Sequence, residues 1–177
     1  GGKTGVLGVM HFSDDGPVVG VRFDMDSNDV TETADPAHFP NQEGFASCHA
    51  GAMHACGHDG HTTVGLFLAK LLSQLKGELR GTIKLCFQPA EEGVRGAHAM
   101  VESGIVDDVD YMLGAHFGFK MKETGSIACN VTDFLATTKY DVHFTGVPAH
   151  AGAAPEQGKN ALLASCVAAL NLHAIAR

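Results

Sequence analysis

Between residues 53 and 63 the chain reads Met-His-Ala-Cys-Gly-His-Asp-Gly-His-Thr-Thr, which gathers His54, Cys56, His58, Asp59 and His61 into one short stretch. Imidazole, thiolate and carboxylate are the side chains that bind transition metals, and Gly57 and Gly60 let the backbone turn so that neighbours converge. Read as an extended run, the stretch points His54, Cys56 and His58 to one side, because side chains alternate along a strand. A polar loop built around a buried structural cysteine seldom collects so many ligand-type groups. The stretch is read as a metal-binding segment.

The elements that must position it are legible on either side. Residues 5–12 and 18–25 are strand-like, with Ser13-Asp14-Asp15-Gly16-Pro17 as the turn between them. The second strand ends in Asp24-Met25-Asp26, at the strand terminus where α/β enzymes keep site residues. Residues 27–52 lack periodicity and form a long loop that delivers the chain to the metal segment. After His61 the period changes: Val64, Phe67, Leu68, Leu71, Leu72 and Leu75 recur at three and four, and Gly77 closes an amphipathic helix. A strand over 81–87 leads into Gln88-Pro89-Ala90-Glu91-Glu92-Gly93, which places Glu91 and Glu92 on a strand-to-helix loop. There one glutamate can bind metal while its neighbour faces a substrate. A helix over 96–103 and a strand over 111–115 follow, and that strand runs into His116, read as a ligand. From about residue 131 the character changes: 137–144 alternates as an exposed strand, and a helix starts at Asn160 with Leu162, Leu163, Val167, Leu170 and Ile175.

Composition narrows the class. The 177 residues are 45% hydrophobic and 18% charged, as in a folded globular protein. A net charge of −8 with histidines neutral argues against nucleic acid as a partner. The five cysteines, at 48, 56, 86, 129 and 166, form no CxxC pair and read as reduced thiols of a cytoplasmic protein. No run reaches the length of a membrane span, and no signal peptide is recognised. The chain opens straight into a strand without an initiator methionine, which reads as a piece of a longer protein.

The segments Met-His-Ala-Cys-Gly-His-Asp-Gly-His-Thr, Phe-Gln-Pro-Ala-Glu-Glu-Gly and Gly-Ala-His together resemble the dinuclear-metal amidohydrolases. That family includes the glutamate carboxypeptidases, the aminoacylases and the hydrolases of amino-acid conjugates, and the resemblance spans essentially the whole chain. It implies an α/β fold: a zinc-peptidase-like catalytic domain, a sheet flanked by helices, over 1–133. The start of an inserted α/β lid, which also makes the dimer, is implied over 134–177. Residue by residue, it makes Cys56, His58, Glu92 and His116 metal ligands and Glu91 the general base. Asp24 and Asp26 fall where other branches have a ligand histidine and its supporting aspartate. Ser27-Asn28-Asp29 departs from the Ala-Leu-Pro of many members. His150, inside Gly146-Val147-Pro148-Ala149-His150-Ala151-Gly152, matches a histidine that reaches the partner's active site and stabilises the oxyanion.

The implied activity is hydrolysis of the amide in an N-acyl amino acid with two divalent ions, Zn2+ or Mn2+. An aromatic acyl group on glutamate is the favoured substrate, p-aminobenzoyl-glutamate foremost. Benzoyl or auxin-type conjugates are the alternative, as is a non-catalytic metal-binding subunit. Partners implied are a small molecule and a second subunit, identical or related, joined through the lid, with no nucleic acid or membrane. The resemblance puts the last metal histidine and the contacts to the substrate carboxylate beyond residue 177, so residues 1–177 alone are expected to be inactive.

Overall fold

A computed structural model describes residues 4–93, 96–118, 121, 123–129, 131–132, 138 and 140–175. The chain divides into two compact units, 1–127 and 128–177.

The first unit is built on a mixed four-stranded sheet with strands β1 (Val6–His11), β2 (Val18–Asp24), β3 (Thr82–Gln88) and β4 (Tyr111–Gly114). Their order is β1-β3-β2-β4; β1 runs antiparallel to β3, while β2 is parallel to both β3 and β4. Between β2 and β3 the chain makes the long loop, a single turn α1 (Phe39–Gln42) and the principal helix α2 (His58–Gln74). A short helix α3 (Gly96–Glu102) precedes β4. Pairing of Asp24 with Gln88 and of Arg22 with Gly114 aligns the carboxyl ends of the three parallel strands. That edge is where open α/β sheets carry their sites.

The core is where α2 lies on β2 and β3. Phe23, Leu72, Leu85 and Phe87 are buried together, with Val21, Leu68, Ala69 and Ile83 packed around them. The Phe23 and Phe87 rings sit 5.3 Å apart under Gly65 of α2. Burying each such side chain stabilises the fold by about 1.5–3 kcal/mol.

The structure differs from the sequence expectation in three places. Helix α2 begins at His58, because Gly57 takes the left-handed conformation (φ 87°) at its N-cap, after bends over 55–57 rather than an extended run. His54, Cys56 and His58 therefore do not share the side of a strand; His54 is exposed and His58 is wholly buried. Second, the apolar stripe of α2 splits between two sides. Leu68 and Leu72 face the sheet with His61 and Gly65, whereas Val64, Phe67, Leu71 and Leu75 are exposed, Phe67 by 61%. Third, residues 138 and 140–146 form no strand, and residues 133–137 and 139 lie outside the described residues. Among the described residues of the second unit no strand pairs with this segment, and a strand needs a ladder to satisfy its backbone.

The second unit contains a bridge between Val147 and Lys159, a 3-10 turn at Pro155–Gln157 and helix α4 (Ala161–Ile175). Asn160 caps α4 by accepting the Leu163 N–H at 2.9 Å. No helix among the described residues is long and apolar enough to cross a membrane.

Candidate metal centre

Each element delivers one part of the cluster. Asp24 closes β2, and Asp26 lies two residues on; Cys56 and His58 flank the left-handed Gly57 at the start of α2. Glu91 and Glu92 occupy the turn after β3, entered through Ala90 at φ 52°, a left-handed conformation uncommon for a residue with a Cβ. His116 follows β4. The structure groups the donors of Cys56, His58 and Glu92 within 4.8 Å of one another, and likewise those of Asp24, His58, His61 and His116. Cys56 Sγ and His116 Nε2 are 3.5 Å apart, which joins the two groups.

His58 belongs to both groups, and its ring orientation follows from its neighbours. Nδ1 donates to the Asp26 main-chain oxygen at 3.0 Å and lies 3.2 Å from Asp26 Oδ1. Both partners are acceptors, so the proton is on Nδ1 and the Nε2 lone pair is free to bind a cation. Nε2 is buried and takes no hydrogen bond; Asp24 Oδ2 lies 3.6 Å away. A buried orphan acceptor surrounded by thiol, imidazole and carboxylate is what a metal ligand looks like without its ion. The residues present fit a divalent cation.

The remaining donors are held in the same manner. Asp26 Oδ2 accepts the Glu92 N–H at 3.0 Å, and the Glu92 Oε1 accepts from Asn28 Nδ2 at 2.7 Å. His116 Nδ1 donates to the Phe117 carbonyl, which turns Nε2 towards Cys56. His61 is satisfied at both nitrogens: the Phe117 N–H donates to Nε2 at 2.9 Å, and Nδ1 donates to Asp24 Oδ1. Its ring meets that of His116 edge-on, with centroids 4.5 Å apart. His61 thus braces the cluster while both its nitrogens are engaged.

Electrostatics favour a cation. Burial alone would raise the Asp24 carboxyl, but the His61 hydrogen bond and the Arg22 guanidinium outweigh it and hold the group below the usual carboxylate range. Arg22 Nη1 lies 2.8 Å from Asp24 Oδ2 as an ion pair, although that oxygen receives no well-directed hydrogen bond. Burial pushes the Cys56 thiol up, and the carboxylates of Glu92, Glu91 and Asp24 push it further. A divalent ion held among these groups would reverse that pressure and stabilise the thiolate.

Glu91 is half-buried beside Glu92 and lines a cleft of about 580 Å³ together with Arg22, Gln88 and His98. His150 belongs to the second unit, where its Nδ1 accepts the N–H groups of Gly152 and Ala153, each at 3.1 Å. The ring is thereby kept as the tautomer with its proton on Nε2.

Two contributors escaped the sequence reading. The sequence alone groups His61 with the ligand-type residues and gives it no role; its position three residues after His58 on a helix face is the available signal. Asn28 stood out only as a departure from a family pattern.

The profile of peptidase family M20/M25/M40 matches residues 20–173. The chain is 56% identical over 176 residues to one of the subunits of p-aminobenzoyl-glutamate hydrolase from Escherichia coli (strain K12), covering 99% of this chain and 40% of that protein. It is 54% identical to indole-3-acetyl-aspartic acid hydrolase of Enterobacter agglomerans, with the same coverage. The chain thus spans about 40% of the length of these relatives. Among solved structures, an aminobenzoyl-glutamate utilization protein from Klebsiella pneumoniae superimposes with a TM-score of 0.70 at 44% identity, over 98% of this chain and 37% of that one. A dinuclear metal binding peptidase of the M20 family from Bacillus subtilis gives 0.58 at 41% identity, over 64% of this chain and 30% of that one. The α/β sheet, the cluster at its carboxyl edge and these matches agree: the chain belongs to peptidase family M20/M25/M40.

Proposed function

We propose that the protein hydrolyses the amide of an N-acyl amino acid at a two-metal centre, and that its substrate is p-aminobenzoyl-glutamate, split to p-aminobenzoate and glutamate. The observation that carries the chemistry is the buried, unsatisfied Nε2 of His58 among Cys56, Glu92 and His116. In this reading Cys56, His58, Glu92 and His116 hold two divalent ions, Zn2+ or Mn2+. Bound there, the ions supply Lewis acidity that makes water nucleophilic near neutral pH and polarises the scissile carbonyl. Glu91, adjacent to a ligand but outside both donor groups, takes the proton of the attacking water and passes it to the leaving amine. Asp26 holds the imidazole of His58 and the backbone of Glu92 in register, so the donors are arranged before an ion arrives. His150, kept as an Nε2–H donor, is suited to stabilise the oxyanion of a partner's active site.

The choice of acyl group is supported by the 56% identity to a component of p-aminobenzoyl-glutamate hydrolase. The 54% identity to an indole-3-acetyl-aspartic acid hydrolase supports a second reading, an auxin-type conjugate. Residues 134–177 are read as the start of a lid and dimerisation domain, and 1–133 as part of the catalytic domain. The Escherichia coli relative is one component of a multi-subunit enzyme, which supports pairing with a related chain as well as with a second copy. A cytoplasmic location fits the five cysteines, all free. The test is to load the full-length protein with Zn2+ or Mn2+ and compare p-aminobenzoyl-glutamate, indole-3-acetyl-aspartate and hippurate. A higher kcat/KM for p-aminobenzoyl-glutamate is expected. Preference for indole-3-acetyl-aspartate favours the second reading, and no hydrolysis of any of them with metal bound favours a non-catalytic role.

A further inference from the structure

We propose that Asn28 is a positioning residue of the metal centre, its amide fixing the Glu92 carboxylate against the loop that carries Cys56. Asn28 lies two residues after Asp26, and its backbone forms a two-bond bridge with Met53, N to O at 2.9 Å and O from N at 3.2 Å. Its side chain continues that link in both directions. Oδ1 accepts the Ala55 N–H at 3.0 Å, and Nδ2 donates to Glu92 Oε1 at 2.7 Å. The surroundings set the amide's orientation: a main-chain N–H on one side requires an acceptor, and a carboxylate on the other requires a donor. Only an amide answers both at this length. One side chain thereby ties the residue next to Cys56 to the carboxylate of Glu92, three chain segments meeting at one group.

The consequence for metal binding is rotational. A glutamate carboxylate turns easily about its terminal torsion, and that freedom is lost when it binds a cation. The Asn28 bond to Oε1, with the Asp26 bond to the Glu92 N–H, holds both ends of the residue before an ion arrives. This inference rests on the reading of Glu92 as a ligand, and the test keeps the two apart.

The substitution that isolates the bond is Asn28→Asp. It is nearly isosteric, keeps an acceptor for the Ala55 N–H, and replaces the donor facing Glu92 with a like charge. Asn28→Leu, which removes both bonds, serves as a second variant. The full-length protein is titrated with whichever of Zn2+ or Mn2+ the wild type binds more tightly, by competition with a chelator, and metal-free melting is recorded alongside. Asn28→Asp and Asn28→Leu are expected to weaken metal affinity by roughly 10- to 100-fold, with Asn28→Asp leaving the metal-free melting temperature close to wild type. In a Glu92→Ala background, which is itself expected to bind weakly, adding Asn28→Asp is expected to change affinity less than twofold. A merely structural asparagine would lower affinity equally in both backgrounds. Equal losses in both backgrounds, or Asn28 variants within twofold of wild type while Glu92→Ala is weak, overturn the inference about Asn28 alone. Wild-type affinity in Glu92→Ala overturns the ligand reading and the inference with it.

Discussion

At the scale of single residues, two adjacent glutamates are asked to do different things. Glu92 is tied at its N–H by Asp26 and at its carboxylate by Asn28, within reach of Cys56 and His58. Glu91 shares neither restraint and faces the cleft beside Arg22 and Gln88. Glu91→Gln is expected to retain metal and lower kcat by about 10²–10⁴, the usual contribution of a general base. Glu92→Gln is expected to lose metal as well. Elemental analysis beside steady-state kinetics decides it, and metal retained in both with only Glu92→Gln inactive would exchange the two roles. Residue types and short spacing made Cys56, His58, Glu92 and His116 legible as candidate donors, and the structure brings them together. What holds them in place was not legible. Asn28 meets Glu92 across 64 positions and His61 meets Asp24 across 37. Such pairs exist only once strands are in register.

Among the elements, α2 shows how far periodicity reaches. Its apolar repeat predicted a helix, and a helix forms; the repeat could not say which side meets the sheet, because apolar residues lie on two sides. The burial of Gly65 and His61 decides that phase, and neither is a hydrophobic signal. A Cβ at Gly65 would lie 2.7 Å from the Phe87 ring and 2.8 Å from that of Phe23. Alanine improves helix propensity by about 1 kcal/mol over glycine, but overpacking against two rings costs about 1–3 kcal/mol. The rings already pack on each other, so the steric cost dominates. Gly65→Ala is expected to lower unfolding free energy by up to about 2 kcal/mol, the steric cost less the propensity gain, read from urea denaturation; a rise in stability would place α2 farther from the sheet. The long loop carries its own pH dependence. The Ser47 N–H and then His38 hold the Glu32 carboxyl below the usual range. A depressed folded pKa stabilises above the unfolded value, about 4.3, and that contribution is lost as pH falls through the folded one. Protection of the Ser47 amide from hydrogen exchange is expected to fall on acidification into that range, relative to amides of β3. Glu32→Gln should remove the difference.

For the molecule as a whole, exposed apolar surface is the dominant feature. Val64, Phe67 and Leu71 on α2, and Leu162, Leu170 and Ile175 on α4, stand open within their respective units. The sheet and the order of its elements were legible in outline, because strands and helices alternate along the chain. The missing strand near 140 was not, since pairing depends on neighbours rather than on local pattern. Residues 1–177 expressed alone are expected to show no measurable amide hydrolysis at saturating Zn2+ or Mn2+. Turnover near that of the full-length protein would end the lid-assisted, two-metal reading. The spread of donors from Asp24 to His116 also imposes an order in time. At a synthesis rate of about 5–20 residues per second, His116 leaves the ribosome about 3–12 s after Cys56. Through that interval thiol and imidazole are available without their later partners, and a cation they caught would have half of the proposed donors. Glu92 and His116 join only when β3 and β4 have docked on β2. If these four residues hold the metal as proposed, firm capture waits for a finished sheet, and loading would check whether the nascent protein has folded.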